Sequence, residues 1–189
     1  MKTLLLHDSE GRVVQKNSGS LDSLIMDLDL SEYDGVFSDQ DHNIDDVYIK
    51  NGEIRSKGDR PSDSYVFNYS TEQWELDLNI AKDNKWAEIK AAREAQEFGS
   101  FTWNTYAFQC DEVSQRRIQG AVQLAVLDES FSIDWTLMDN SVVTLSAQDM
   151  ISVGMALSIH VNGGHVKSRA LRDQIDAATS EAEIDGINW

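Results

Sequence analysis

Between Phe131 and Met150 the hydrophobic pattern changes period. Phe131, Ile133, Trp135 and Leu137 alternate with polar residues, which predicts a strand. Asp139–Asn140 predicts a turn, and Val143 and Leu145 line part of a return strand. Ser146 with Asp149 three residues later is a capping pattern and predicts a helix from Ala147. Beyond it, Met150, Val153, Leu157, Val161, Leu171 and Ile175 hold a helical phase through Gly163–Gly164. One long helix with a soft centre fits this pattern, and so do two stacked pieces.

Two more helices are predicted upstream. The stretch "NIAKDNKWAEIKAAREAQEFG", behind a candidate cap at Asn79 and ended by Gly99, is rich in Ala, Glu and Lys. "DEVSQRRIQGAVQLAVLDES" places Ile118, Ala121, Val122, Ala125 and Val126 on one apolar face. Between these two helices "SFTWNTYAFQCD" alternates aromatic and polar residues around a central turn, a hairpin pattern.

Residues 1–77 read as short strands and turns. "KTLLLHD" and "GRVVQ" are brief apolar runs; "LDSLIMDLDL" is a third, or a short helix with Leu21, Leu24, Ile25 and Leu28 on one side. Asn51–Gly52 inside "VYIKNGEIRS" is the type I′ hairpin signal, and Pro61 follows that element. "YVFNYSTEQWELDL" predicts another hairpin anchored by Tyr65, Phe67, Tyr69 and Trp74. A unit of this kind buries little alone and is expected to lean on the rest of the chain or on a partner. The predicted fold is α+β: three helices interleaved with two β-hairpins over 79–189, after a strand-rich attachment unit over 1–77. The tail "EAEIDGINW" is short and ends on Trp189, an aromatic that must pack somewhere, on this chain or another.

Charge narrows the partners. The net charge is -17, with 17 acidic and 7 basic residues in 1–80 and 16 and 9 in the remainder. Neither part offers the basic patch that phosphates require, so nucleic acid and anionic membranes are disfavoured, and a basic groove on another protein suits the chain better. The three-Leu run near the start is too short for a signal segment, and no window approaches 18 apolar residues. A soluble protein of a reducing cytoplasm is expected.

No residue pattern reaches a catalytic, cofactor or metal signal. Asp39, Asp41, Asn43 and Asp45 fall at positions 1, 3, 5 and 7 of a calcium-loop pattern, but Ile44 replaces the required Gly and Lys50 the bidentate Glu. His160 and His165 are five apart, so a regular helix points them about 140° apart, against zinc's i,i+4 spacing. His160 reads as a border residue bonding a polar neighbour; His7 and His42 lie in the other unit. Cys110, the single cysteine, has no His nearby and is flanked by Asp111 and Glu112, which raise a thiol's pKa; it reads as packing. Ser152 sits inside a helix and outside any G-x-S-x-G elbow. Arg116 or Arg117 is expected to bridge a neighbouring carboxylate, and Gln115 with Gln119, a turn apart, to face a partner. Counting cannot exclude a carboxylate pair, so a hydrolase stands as an alternative of another class. The aromatics say more: Trp74, Trp86, Trp103, Trp135 and Trp189 are candidate interface or core anchors, with Trp103 and Trp135 expected to be buried between the hairpins and the third helix.

From Lys85 onward the chain resembles a family of bacteriophage tail-associated proteins catalogued as a domain of unknown function, DUF4376. "WAEIKAAR" (86–93), "FTW…FQCDEVSQRRIQGAV" (101–122), "FSIDWTLMDNSVVTLSAQDM" (131–150), His160 to Ile175, and the closing "INW" carry the likeness. The stretch from Tyr48 to Asp77 resembles what often precedes this domain; residues 1–45 show no likeness. Family members more often carry Asp or Ser at the position of Cys110, so no cysteine role follows. The resemblance implies a non-enzymatic tail component, a structural or adaptor subunit attached to a tail fibre or baseplate protein and so located in the virion tail. A tail fibre assembly chaperone, absent from the finished particle, is the alternative. Self-association, or association with a trimeric fibre, stays open.

Overall fold

The computed structural model describes residues 2–25 and 33–189 and divides into two compact units, Met1–Ala81 and Lys82–Trp189. Helices and short antiparallel strand pairs make an α+β fold, strand-rich in its first unit. Among the described residues no helix is long and apolar enough to cross a membrane.

In the first unit, β1 (Lys2–His7) is the centre of a three-stranded antiparallel sheet between β2 (Val13–Gly19) and β3 (Asp34–Ser38). Its Leu4, Leu5 and Leu6 are all buried, so both faces of the strand are covered. Leu5 joins Val13, Val47 and Ile49 in one cluster; Leu4 and Leu6 pack with Leu24 of α1 (Leu21–Ile25) in another. Of the two readings of residues 21–30, the short helix holds for 21–25, and Leu28 lies outside the described residues. Strands β4 (Val47–Lys50) and β5 (Glu53–Ser56) form the expected hairpin, with Asn51 and Gly52 at φ of +54° and +77°, as a type I′ turn requires. β6 (Tyr65–Asn68) and β7 (Gln73–Leu76) form the other. The Glu72 carboxylate ties these two hairpins together: it accepts from Tyr48 Oη (2.7 Å) and pairs with Lys50 (3.2 Å) and Arg55 (3.3 Å). The unit therefore has its own apolar clusters and its own polar clasp.

In the second unit, helix and hairpin alternate as expected. α2 (Leu78–Glu97), which begins at the end of the first unit, precedes the β8 (Ser100–Trp103) and β9 (Tyr106–Gln109) hairpin. α3 (Glu112–Leu127) precedes the β10 (Ser132–Thr136) and β11 (Val142–Ser146) hairpin, in register Trp135↔Val143 and Ile133↔Leu145. α4 (Ala147–Ala177) is one unbroken helix of 31 residues. Phe101, Phe108, Cys110, Ile118, Leu145, Met150, Val153 and Leu157 form the main core. Gly154 lets α3 and α4 close on each other, because a Cβ there would stand 2.6 Å from Val122 Cγ2.

Four expectations need correction. The α2 cap is Asp77, whose Oδ1 accepts from the amides of Asn79 and Ile80; its carboxylate reaches back over the first turn, while Asn79 already lies inside the helix. Val126 is exposed, since the buried face of α3 is centred on Ser114, Ile118, Ala121 and Ala125. Residues 181–189 are no simple tail: α5 (Glu181–Asp185), capped by Ser180, turns the chain so that Ile184 and Ile187 are buried. Trp103 and Trp135 are half-buried at the margin of the main core, and Phe101 and Phe108 fill its interior.

The capping box at the start of α4 is complete. Ser146 Oγ accepts from the Asp149 amide (3.2 Å), and Asp149 Oδ2 accepts from the Ser146 amide (3.1 Å). Ser146→Ala is expected to cost about 1 kcal/mol, read as a lower urea midpoint at unchanged slope.

Candidate protein-interaction surfaces

The polar side chains of residues 131–150 serve as joints. Asp134 accepts from Thr144 across the hairpin, Asp139 Oδ1 accepts from the Ser141 amide and hydroxyl to close the turn, and Ser146 with Asp149 starts α4. Asp111 does the same for α3, accepting from the amides of Val113 and Ser114 and from Ser114 Oγ. These bonds favour the ionised form, so the carboxyls of Asp111, Asp139 and Asp149 lie below the usual carboxylate range, each chiefly through its serine hydroxyl. They are spent on helix starts and a turn.

The acidic loop is similarly engaged. Asp39 pairs with Lys2 and Asp41 with Lys16, while Asn43 bonds Asp46. Ile44 packs against the Leu5–Val13–Val47–Ile49 cluster, which accounts for an apolar residue where a calcium loop needs glycine. Among the described residues no group of three His, Cys, Asp or Glu side chains stands together as a metal ligand set. His7 Nδ1 meets the Asp8 carbonyl, and His42 Nε2 meets Ser38 Oγ.

His160 and His165 straddle the end of α2. His160 Nε2 donates to the Gln96 carbonyl (2.8 Å), and His165 Nε2 stands 3.4 Å from the Glu97 carboxylate. His160 thus supplies a donor to one of the free carbonyls at the C-terminus of α2, and His165 meets the side chain of that helix's last residue. Gln115, expected to face a partner, instead donates to the carbonyls of Cys110 (2.9 Å) and Glu97 (3.3 Å). Cys110 is fully buried, and burial first, then Glu97 and Asp111, pushes its thiol up. Ser152 Oγ donates to the Gln148 carbonyl within α4. Arg116 and Arg117, one of them expected to bridge a carboxylate, are exposed and pair with none among the described residues.

All five tryptophans are half-buried. Trp86 and Trp189 pack with Ile89, Leu171, Ile175 and Ile187, and α4 lays a cation over each ring: Arg172 over Trp86 at 5.2 Å, Lys167 over Trp189 at 4.5 Å. Trp189 thus packs on its own chain. Trp103 stacks on Tyr106 across the β8–β9 turn, and Trp135 tilts against Phe108. Trp74 differs, because it lines an open cleft.

That cleft, about 840 Å³, lies within the first unit. Phe67, Tyr69 and Trp74 supply its aromatic wall, with both other rings edge-on to Phe67 at 5.2 and 5.4 Å. Three cations stand over these rings: Arg12 over Tyr69 (5.4 Å), Lys57 over Phe67 and Tyr69 (5.6 and 5.4 Å), and Arg60 over Trp74 (5.7 Å). Arg60 is fixed by the carbonyls of Tyr65 and Asp63. Asp45, Asp46 and Asp59 complete the rim, so aromatic faces and both charge signs meet in one depression of an otherwise acidic chain. The tryptophan was visible in the sequence; the cations, far apart along the chain, were not.

A second depression, about 940 Å³, runs between α3 and α4 of the second unit. Val122, Gln119 and Gln123 line it from α3, and Met155, Ile159 and Asn162 from α4. No Asp, Glu, Lys or Arg lines it.

No curated protein and no solved structure matches the chain. The family model described as a domain of unknown function, DUF4376, matches residues 80–188, the stretch that holds nearly all of α2 through α5. With more than half of its 189 residues inside that match, the chain belongs to the DUF4376 family.

Proposed function

We propose that this chain is a non-enzymatic bacteriophage tail component, an adaptor held against a tail fibre or baseplate protein. The observation that supports an adaptor most directly is the cleft of the first unit. Tyr, Trp and Arg supply most hot-spot energy in protein interfaces, and here Tyr69, Trp74, Arg12 and Arg60 surround one opening. Cations resting on rings are partly shielded from water before a partner arrives, which lowers the cost of ordering them on binding. The net charge of -17 favours a partner whose approach surface is basic. The tail setting itself comes from the resemblance carried by residues 86–93, 101–122 and 131–150. Assembly in the host cytoplasm and residence in the virion tail follow from that setting.

Quantitative mass spectrometry of purified particles, beside lysate of the cells that make them, tests this. A fixed copy number in the particle is the expected result. Presence in the lysate only, bound to free fibre protein, makes the chain an assembly chaperone and overturns the structural role.

A further inference from the structure

The middle of α4 carries no Asp, Glu, Lys or Arg from Met150 to Val166, and α3 carries none from Ile118 to Leu127. In a chain with 26% charged residues this is where charge is withheld. One side of α4 is explained, since Met150, Val153 and Leu157 enter the core. The opposite side is not. Met155, Ile159, Asn162 and Val166 follow one another at spacings of four, three and four, so they form a single stripe. Met155 is 62% exposed, Ile159 70% and Val166 51%, and Asn162 is exposed with them. A helix that is apolar on both sides is normally covered on both.

We infer that this stripe is the interface at which two copies of the chain pair, α4 against α4, parallel about a twofold axis. Three observations choose a second copy over another partner. The stripe has the alternating four–three spacing of a coiled-coil seam, the pattern by which helices of this kind meet at small crossing angles. Asn162 sits in the middle of the seam, and its amide carries both a donor and an acceptor, so across a twofold axis it satisfies its own copy. Against an apolar partner the same group is buried unpaired, which is destabilising. Finally, two chains of -17 repel wherever their surfaces carry charge. They meet at least cost on a neutral face, and a basic partner gains nothing there. The depression beside the stripe, lined by Val122, Gln119 and Gln123 across from Met155 and Ile159, gives the second copy room on the same face. The polar residue in the seam fixes register and the number of strands at some expense of affinity.

The purified full-length chain tests this without a phage, so its result is separate from the tail reading. Sedimentation at about 100 µM is expected to give twice the 21.2 kDa chain mass, with dissociation on dilution. Because the opposing force is like-charge repulsion, the pair is expected to tighten several-fold between about 0.05 and about 0.5 M salt. Ile159→Asp is expected to give a monomer whose melting temperature equals that of the wild-type chain diluted until it dissociates, since the side chain touches solvent in the single chain. Asn162→Leu is expected to keep association while allowing states larger than two. A chain monomeric at every concentration, a dimer untouched by Ile159→Asp, or a dimer weakened by salt each overturns the inference. So does a monomer whose α4 face captures only a different protein.

Discussion

Phe108→Ala is expected to lower stability by about 4 kcal/mol, the largest loss from any single aromatic in the second unit. Phe108 has 0% exposure and stacks on Phe101 at 5.3 Å, with Trp103 edge-on and Trp135 tilted against it. Its removal leaves a cavity bounded by both hairpins of the unit, and β8–β9 and β10–β11 cannot both collapse into the gap without breaking register. Trp135→Ala, by contrast, removes a larger ring that is half solvated, so its expected loss is about half as great. The order of these two is the test. Denaturant unfolding followed by far-ultraviolet circular dichroism, which does not depend on the indole that one variant removes, separates them. A Trp135→Ala loss equal to or above that of Phe108→Ala contradicts the placement of Phe108 at the centre.

Period made much of this fold legible beforehand. The alternation of Phe131, Ile133 and Trp135, the Ser146 cap and the phase from Met150 to Ile175 each rest on local rules, and each appears as a strand, a cap and one continuous helix. Size misled where it was used as a proxy for depth. Trp103 and Trp135 are larger than Phe108, yet an indole at a hairpin margin keeps one edge in water, whereas Phe108 points into the space between two hairpins and two helices. Strand β3, with a glycine and only two apolar side chains, has no sequence signal of its own and exists because β1 offers a free edge. The candidate surfaces were half visible. Trp74 stood out, but its setting depends on Arg12, Lys57 and Arg60, which only the hairpin pairings bring to the same rings. The α4 stripe was written in the sequence throughout, hidden because the buried phase of the same helix is the stronger pattern.

The second large effect is expected from Gly11→Ala. Gly11 closes the turn between β1 and β2: its amide donates to the Asp8 carbonyl, and its own carbonyl accepts from the Ile49 amide at 2.8 Å, docking the turn on β4. Its φ is +93°, and a Cβ built there lies 2.0 Å from the Ile49 carbonyl oxygen. Backbone cannot swing aside as a long side chain would. Alanine therefore meets both a disfavoured dihedral and a clash, together about 3 kcal/mol, and the turn must leave β4. The contacts next in line are Arg12 with Tyr48 and the Leu5–Val13–Val47–Ile49 cluster, so the damage spreads through the first unit. Hydrogen exchange by mass spectrometry is expected to show lost protection in peptides from residues 2–19 and 47–56, with 100–177 unchanged. Gly52→Ala supplies the control. Its φ of +77° is equally unsuited to alanine, but nothing lies within 4 Å of the added carbon, so it loses the dihedral contribution alone, about 1 kcal/mol. Equal losses at the two glycines mean that the contact with Ile49 is not what makes residue 11 a glycine; a larger loss at Gly11 assigns the difference to that contact.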